Sequence, residues 1–322
     1  MMSAVRVESG PDAGAVWHHG DPYREQRTLE AGRGSVDLSH HDVLTLTGPD
    51  RLELLHALTT QHLTALPAGR GTTALVLSPH GHVEHVLYGV DDGETFWART
   101  EPGAAAALVA FLDSMKFMMR VEIADRSSEY GIVWRAGAPE SAAPDGAVVR
   151  VGEDSLGGHE LFVPRAEIAG LIDDDAAGTW AYEALRIAAG VPRIGVDTDH
   201  RTLPNELGVL GVAVHLDKGC YRGQEAVARV HNLGKPPRRL TRLLLDGSVD
   251  ALPEVGAELT LDGKVVGRVG SSQRHHELGP IALAMVKRAT PVEATLVTGE
   301  IAASQEVLVD PDVGLHVRAR MG

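Results

Sequence analysis

The sequence of 322 residues holds a single cysteine, Cys220. A lone thiol excludes an intrachain disulfide, and it excludes zinc or iron–sulfur sites built only from cysteines of one chain. Aromatic residues are scarce at 4%. A core must therefore rest on Leu, Val, Ala and Ile, and each tryptophan stands out. Long hydrophobic runs are missing too: AAAALVAFL is far too short to span a bilayer. The opening MMSAVRVESGPDAGAV lacks the charged and apolar regions of a secretory signal. Positive charge is in deficit, with a formal net charge of −14. That disfavours broad attraction to nucleic acid or to an anionic membrane. The expectation is a cytoplasmic protein with no membrane and no direct nucleic-acid contact.

What is present reads as a soluble globular chain, 43% hydrophobic and 23% charged. At about 150 residues per domain, its length suggests two or three domains. Residues 1–35 are polar, Gly-rich and aperiodic, and read as a flexible arm. Residues 36–129 form an α/β unit: DVLTLTG is a strand and PDRLELLHAL a helix, with Pro49 and Asp50 at its start. TALVLS, HVEHVLYGV and ETFWART follow as a meander. EPGAAAALVAFLDSM reads as a helix with Thr100 as its cap and Pro102 in its first turn, and VEIADRS as a closing strand. Residues 130–235 give a second unit, with strands YGIVWRA, VVRV and HELFVP and helical runs RAEIAGLI and TWAYEALRIAAG. Residues 236–322 show short strand-like runs and turns almost without helical period, a small all-β domain of barrel type. The fold class is α+β, built on antiparallel sheets.

Cys220 lies in DKGCYRGQEAVARV. Gly219 and Gly223 permit tight turns on either side, and Gln224 opens a helical run in which Glu225 and Arg229 are spaced for an i,i+4 pair. A helix start and the nearby Lys218 would both favour a thiolate. The segment from Arg201 to Arg242 is locally basic, which suits a small anion or an acidic partner as well as a solvated surface. Buried packing is the alternative fate of a lone cysteine.

KGCYRGQEAVAR resembles the K-G-C-[aromatic]-x-G-Q-E signature of the YgfZ family, which is related to the T-protein of the glycine cleavage system, an aminomethyltransferase. LRIAAGVPRIGVDTDHRTLPNELG and DLSHHDVLTLTGPDRLELLHALTTQ are similar to further stretches of that family, so the likeness runs from about Val36 to the C-terminus. The resemblance implies two intertwined antiparallel-sheet α/β units around a central opening, plus a C-terminal β-barrel. It implies tetrahydrofolate, or a one-carbon derivative, as ligand. It also implies an accessory role in iron–sulfur cluster assembly or repair, with indirect effects on tRNA modification and with iron–sulfur proteins or assembly factors as partners. By the same resemblance Cys220 and Lys218 are the reactive pair, with Gly219, Tyr221, Gly223, Gln224, Glu225 and Arg229 completing the motif.

A folate pterin edge presents adjacent N–H donors best met by a carboxylate, its ring favours apolar or aromatic walls, and its glutamate tail is anionic. Glu160 in GGHELFV resembles the pterin-binding glutamate of the T-protein, and Trp180 the aromatic that lines its site. Arg186 matches the family's L-R-[LI] pattern, to meet an anion or to pair with a neighbouring acid. Lys116 and Arg120, in the apolar SMKFMMR, are candidates for the tail. T-proteins carry an acidic pair after a glycine turn, whereas Gly81–His85 here places Glu84 and His85 at that point. This speaks against aminomethyl transfer, and the alternative of a folate-dependent aminomethyltransferase or demethylase stays second. His80, His82 and His85 do not share one side of a strand, so no metal site is expected there.

Overall fold

The computed structural model describes residues 4–139, 144–172 and 174–315. The chain divides into two compact units. The first comprises Met1–Val76, His85–Leu185 and Asp217–Tyr221; the second comprises Leu77–Glu84, Arg186–Leu216 and Arg222–Gly322.

The first unit opens with a ribbon of β1 (Val5–Arg6) and β2 (Val16–His18), then helix α1 (Pro22–Glu30). Asp21 caps α1 by accepting from the Arg24 amide at 2.9 Å. From residue 4 onward the expected flexible arm is therefore wrong. Contacts distant in sequence order it: Leu29 is buried with Val36, Trp134 and Ala177, and Glu25 accepts from the amides of His19 and Gly178 at 2.8 and 2.9 Å.

Next come β3 (Ser35–Asp37), β4 (Asp42–Thr47), α2 (Arg51–Leu58), β5 (Gly71–Leu77), β6 (Val83–Asp91), β7 (Thr95–Thr100), α3 (Ala105–Met115) and β8 (Glu122–Asp125). A sheet of order β5-β6-β7-β4-β8 forms from them. Leu44, Leu46, Leu87 and Phe96 pack from it against Leu54 and Leu55 of α2 and Leu108 and Leu112 of α3. The start of α3 differs from expectation. Thr100 ends β7, and Gly103 adopts φ +77°, so the helix begins after the turn. Asp42 of β4 takes over the cap, its carboxylate accepting the Ala105 amide at 2.8 Å. The second sheet has the order β10-β11-β9-β3, from β9 (Tyr130–Arg135), β10 (Val148–Arg150) and β11 (His159–Pro164). The short α4 (Ile168–Leu171) follows, then α5 (Thr179–Ala188).

In the second unit, α6 (Gln224–Leu233) leads into β12 (Arg238–Leu245), β13 (Glu258–Leu261), β14 (Lys264–His275), β15 (Gly279–Lys287), β16 (Leu296–Thr298) and β17 (Ile301–Val307). These strands close a barrel of order β12-β15-β14-β13-β16-β17, β12 pairing with β17. Closure removes free sheet edges. Its interior is filled by Leu243, Leu259, Val269, Ala284, Val286 and Leu296. The fold is the α+β arrangement with terminal barrel that the sequence led us to expect. Among the described residues, no helix is long and apolar enough to cross a membrane.

Candidate functional site

The loop of the single thiol belongs to the first unit. Lys218 and Tyr221 are buried, while Gly219 and Cys220 between them are exposed. Lys218 explains the anchoring. Its amine donates to the carbonyls of Thr59 (2.6 Å), Gln61 (3.1 Å) and His56. These carbonyls lie at the end of α2, where a helix leaves acceptors without intrahelical donors. An ammonium has three hydrogens to donate, so this set matches its capacity. The amine also sits 5.2 Å from the centre of the Tyr221 ring. Burial brings the Lys218 pKa down to about 8.

Two expectations change here. Lys218 is an anchor for the loop rather than a charge devoted to the thiol, because its donors are spent on carbonyls. The two glycines are also not equivalent. A Cβ at Gly219 would meet nothing, whereas Gly223 adopts φ +82° and its Cβ would fall 2.5 Å from the Ser78 carbonyl. Gly223 is the residue before α6, and the left-handed turn there needs glycine. Glu225 and Arg229 do pair at 2.6 Å, but both are mostly exposed, so this pair decorates α6 and does not brace the loop. Gln224 is half-buried at the start of α6.

Glu160 sits on β11 directly opposite Arg150 of β10 and is fully buried. Oε2 accepts from Arg150 at 2.9 Å, and Oε1 from Arg99 of β7 at 2.7 Å. Arg150 continues to Asp154 at 2.6 Å. The Arg99 guanidinium lies 3.9 Å from the centre of the Tyr88 ring. Two cations and two carboxylates thus balance inside the first unit and tie one sheet to the other. Burial alone would raise the Asp154 carboxyl, but the charges of Arg150 and Arg99 outweigh it and hold the pKa below the ordinary value. Burial likewise pushes the Tyr88 and Tyr182 phenols above their usual range.

The expected role of Glu160 toward a pterin does not fit this geometry, since both of its oxygens are committed to arginines. Asp154 keeps one oxygen in reserve: its Oδ2 is buried and has no hydrogen-bond partner among the described residues.

The other candidates are dispersed. Trp180 of α5 stacks on Trp17 of β2, centroids 4.9 Å apart and planes 24° from parallel, with Tyr23 edge-on at 6.2 Å. One ring face is therefore already covered, by a residue of the stretch expected to be an arm. Arg186, in the second unit, donates to Val191 O (2.6 Å), Asp197 (3.0 Å) and Ser271 Oγ (2.5 Å). Of its two expected fates, it has taken the neighbouring acid. Lys116 pairs with Asp113 at 2.6 Å and Arg120 with Asp50 at 3.1 Å, both on the surface. Beside them Phe117 and Met118 stand 90% and 83% exposed, whereas Met119 packs against the core of the first sheet. Glu84 meets Arg222 at 3.2 Å.

Sequence reasoning passed over Arg99, Arg150, Asp154 and Trp17. A signal existed for Arg99 and Arg150: each is a lone cation in a strand run that is otherwise apolar or uncharged, WART and VVRV. A buried charge of that kind demands a partner.

No protein-family profile matches the chain. Among curated proteins it is similar to an aminomethyltransferase of Streptomyces coelicolor, 26% identical over 86% of this chain and 84% of that one. An aminomethyltransferase of Nostoc sp. is 28% identical over 82% and 79%. A chloroplastic protein of Arabidopsis thaliana named as a transferase is 26% identical over 82% of this chain and 68% of its own length. The crystal structure of glycine cleavage system aminomethyltransferase T from Bartonella henselae matches with a TM-score of 0.80, over 97% of this chain and 95% of that one, at 19% identity. The chain has the aminomethyltransferase fold.

Proposed function

We propose that the protein binds a reduced folate and acts as an accessory factor of the YgfZ type, supporting assembly or repair of iron–sulfur clusters and, through them, tRNA modification. The observation that carries this reading is the anchored loop. Lys218 and Tyr221 hold it from within, and Cys220 between them is open to solvent. A thiol held by its neighbours yet exposed would be accessible to a partner protein or assembly factor. Glu84, where a T-protein carries acids, is drawn toward Arg222. That weakens its case as a proton-transfer group. Tetrahydrofolate would supply a carried one-carbon unit, and Asp154 Oδ2 would accept an N–H from its pterin. A single cysteine suits the reducing cytoplasm, where the proposed clients are made.

The relatives named aminomethyltransferase favour a second reading, a folate-dependent aminomethyltransferase or demethylase. One experiment separates the two. The protein is incubated with tetrahydrofolate and an aminomethyl donor, and 5,10-methylene-tetrahydrofolate is counted per chain. The accessory reading expects tetrahydrofolate binding with at most one equivalent formed; many turnovers would establish the enzyme. In parallel, a Cys220→Ala strain should lose iron–sulfur enzyme activity while the variant accumulates normally. Full activity in that strain would remove the thiol from the function.

A further inference from the structure

The outer face of the barrel carries a cavity of about 320 Å³, lined by the loop Gly195–Asp199 on one side and by β12, β14 and β15 on another. Its size lies at the lower end of the range of small-molecule sites, roughly 300–1,000 Å³. Strand alternation sets what it displays. Ala282, Ala284 and Val286 of β15 point into the barrel core, so Met285 and Lys287 point out. Arg268 of β14 is opposite Met285, and Arg238 of β12 is opposite Lys287. Val255 and Val265 add apolar surface, 59% and 38% exposed.

The acids at this cavity already accept from cations. Asp197 accepts from Arg186, from the amides of Arg193 and Ser271, and from Ser271 Oγ. Asp199 takes Arg238 at 2.7 and 3.1 Å, and Glu206 shares the same guanidinium. Two cations are not matched in this way. Lys287 donates to the Val265 carbonyl at 2.7 Å, which leaves its charge uncancelled. Arg268 is mostly exposed and lies 3.5 Å from an equally open Glu258, a weak pairing. Open apolar walls therefore adjoin the Lys287 ammonium and the open Arg268 guanidinium.

We propose that this cavity binds a small amphipathic carboxylate, its apolar body on Val255, Val265 and Met285 and its head at Lys287 and Arg268. The site lies within the second unit and stands apart from the folate reading. It is tested on the full chain by titration with 1-anilinonaphthalene-8-sulfonate, an apolar anion, followed by challenge with octanoate or octylammonium. Saturable dye binding is expected, displaced by octanoate and not by octylammonium. The pair Lys287→Glu and Arg268→Glu should weaken dye binding about tenfold, and Val265→Asp similarly, with circular dichroism unchanged. Lys264→Glu, which makes the same kind of charge reversal at an exposed residue outside the lining, should leave affinity within about twofold. Absence of saturable binding, equal displacement by octylammonium, unchanged affinity in the cavity variants, or equal weakening by Lys264→Glu would each overturn the proposal. The two competing ions decide the sign of the site on the unmodified protein, so the result stands even if a variant fails to fold.

Discussion

Replacing Glu160 by Gln keeps the shape of the side chain and removes one buried negative charge. Four charged groups balance in that network: Arg99 and Arg150 against Glu160 and Asp154. Without Glu160 the charge of Arg99 is left uncompensated at a buried position, since Arg150 keeps Asp154. Breaking a buried pair by removing one partner costs about 3–5 kcal/mol; the amide oxygen of Gln can still accept one hydrogen bond, so about 3 kcal/mol is the expectation. The four tryptophans all lie in the first unit, so fluorescence reports that unit's unfolding by itself. With a urea slope of about 1–3 kcal/mol per molar, the midpoint should fall by roughly 1–3 M. The double variant Arg99→Met with Glu160→Gln restores neutrality, leaving Arg150 on Asp154. It should be less destabilised than the sum of the single changes. A shift below about 0.3 M for Glu160→Gln would refute the network as a structural strut, because a carboxylate on a wet ligand-facing wall would show that small effect.

Asp154→Asn should abolish or strongly weaken tetrahydrofolate binding by calorimetry, since it replaces the unspent acceptor's charge; unaltered binding would remove Asp154 from the pocket. Its carboxyl is held below the ordinary 3.8, so it stabilises the fold above that pH, and the gain fades as pH falls through the lower folded value. The acid branch of the stability profile should accordingly flatten in Asp154→Asn. Lys218 also has a lowered pKa, here because burial disfavours its charged form. Burial lowers its pKa from 10.5 to about 8, so the unfolded chain binds the extra proton between those values and stability relative to Lys218→Met should rise from pH 8 to 10.5; a flat difference in urea midpoints across that window would contradict it. Gly223→Ala should cost about 1–3 kcal/mol in the second unit, followed by circular dichroism, because a Cβ would strike the Ser78 carbonyl at a positive φ, whereas Gly219→Ala should be nearly neutral.

Much of the architecture was legible in the chain. Period-two runs bounded by glycine turns located β4 to β9, and the loss of helical period after Lys235–Pro237 marked the barrel strands, because these signals are local. The start of α3 was misread for a related reason: its cap comes from Asp42, 63 residues earlier, while the nearby Thr100 is spent in a strand. The order in residues 4–35 was missed since polar, Gly-rich composition says nothing about Leu29 reaching the core or Trp17 reaching Trp180.

The sequence by itself determined the strand and helix periods, the barrel, and a lone thiol in a glycine-flanked loop ahead of a helix; that the thiol is exposed, and that Gly223 rather than Gly219 is the required glycine, came from the fold. Tertiary structure alone decided that Lys218 grips carbonyls 159 residues away at Thr59, and that Glu160 is closed between arginines, one of them 61 residues distant. Backbone periodicity is written over a few neighbouring residues. The partner of a buried charge is set by which distant strand folds against it, and the lone cations of WART and VVRV announce the need for a partner without naming it.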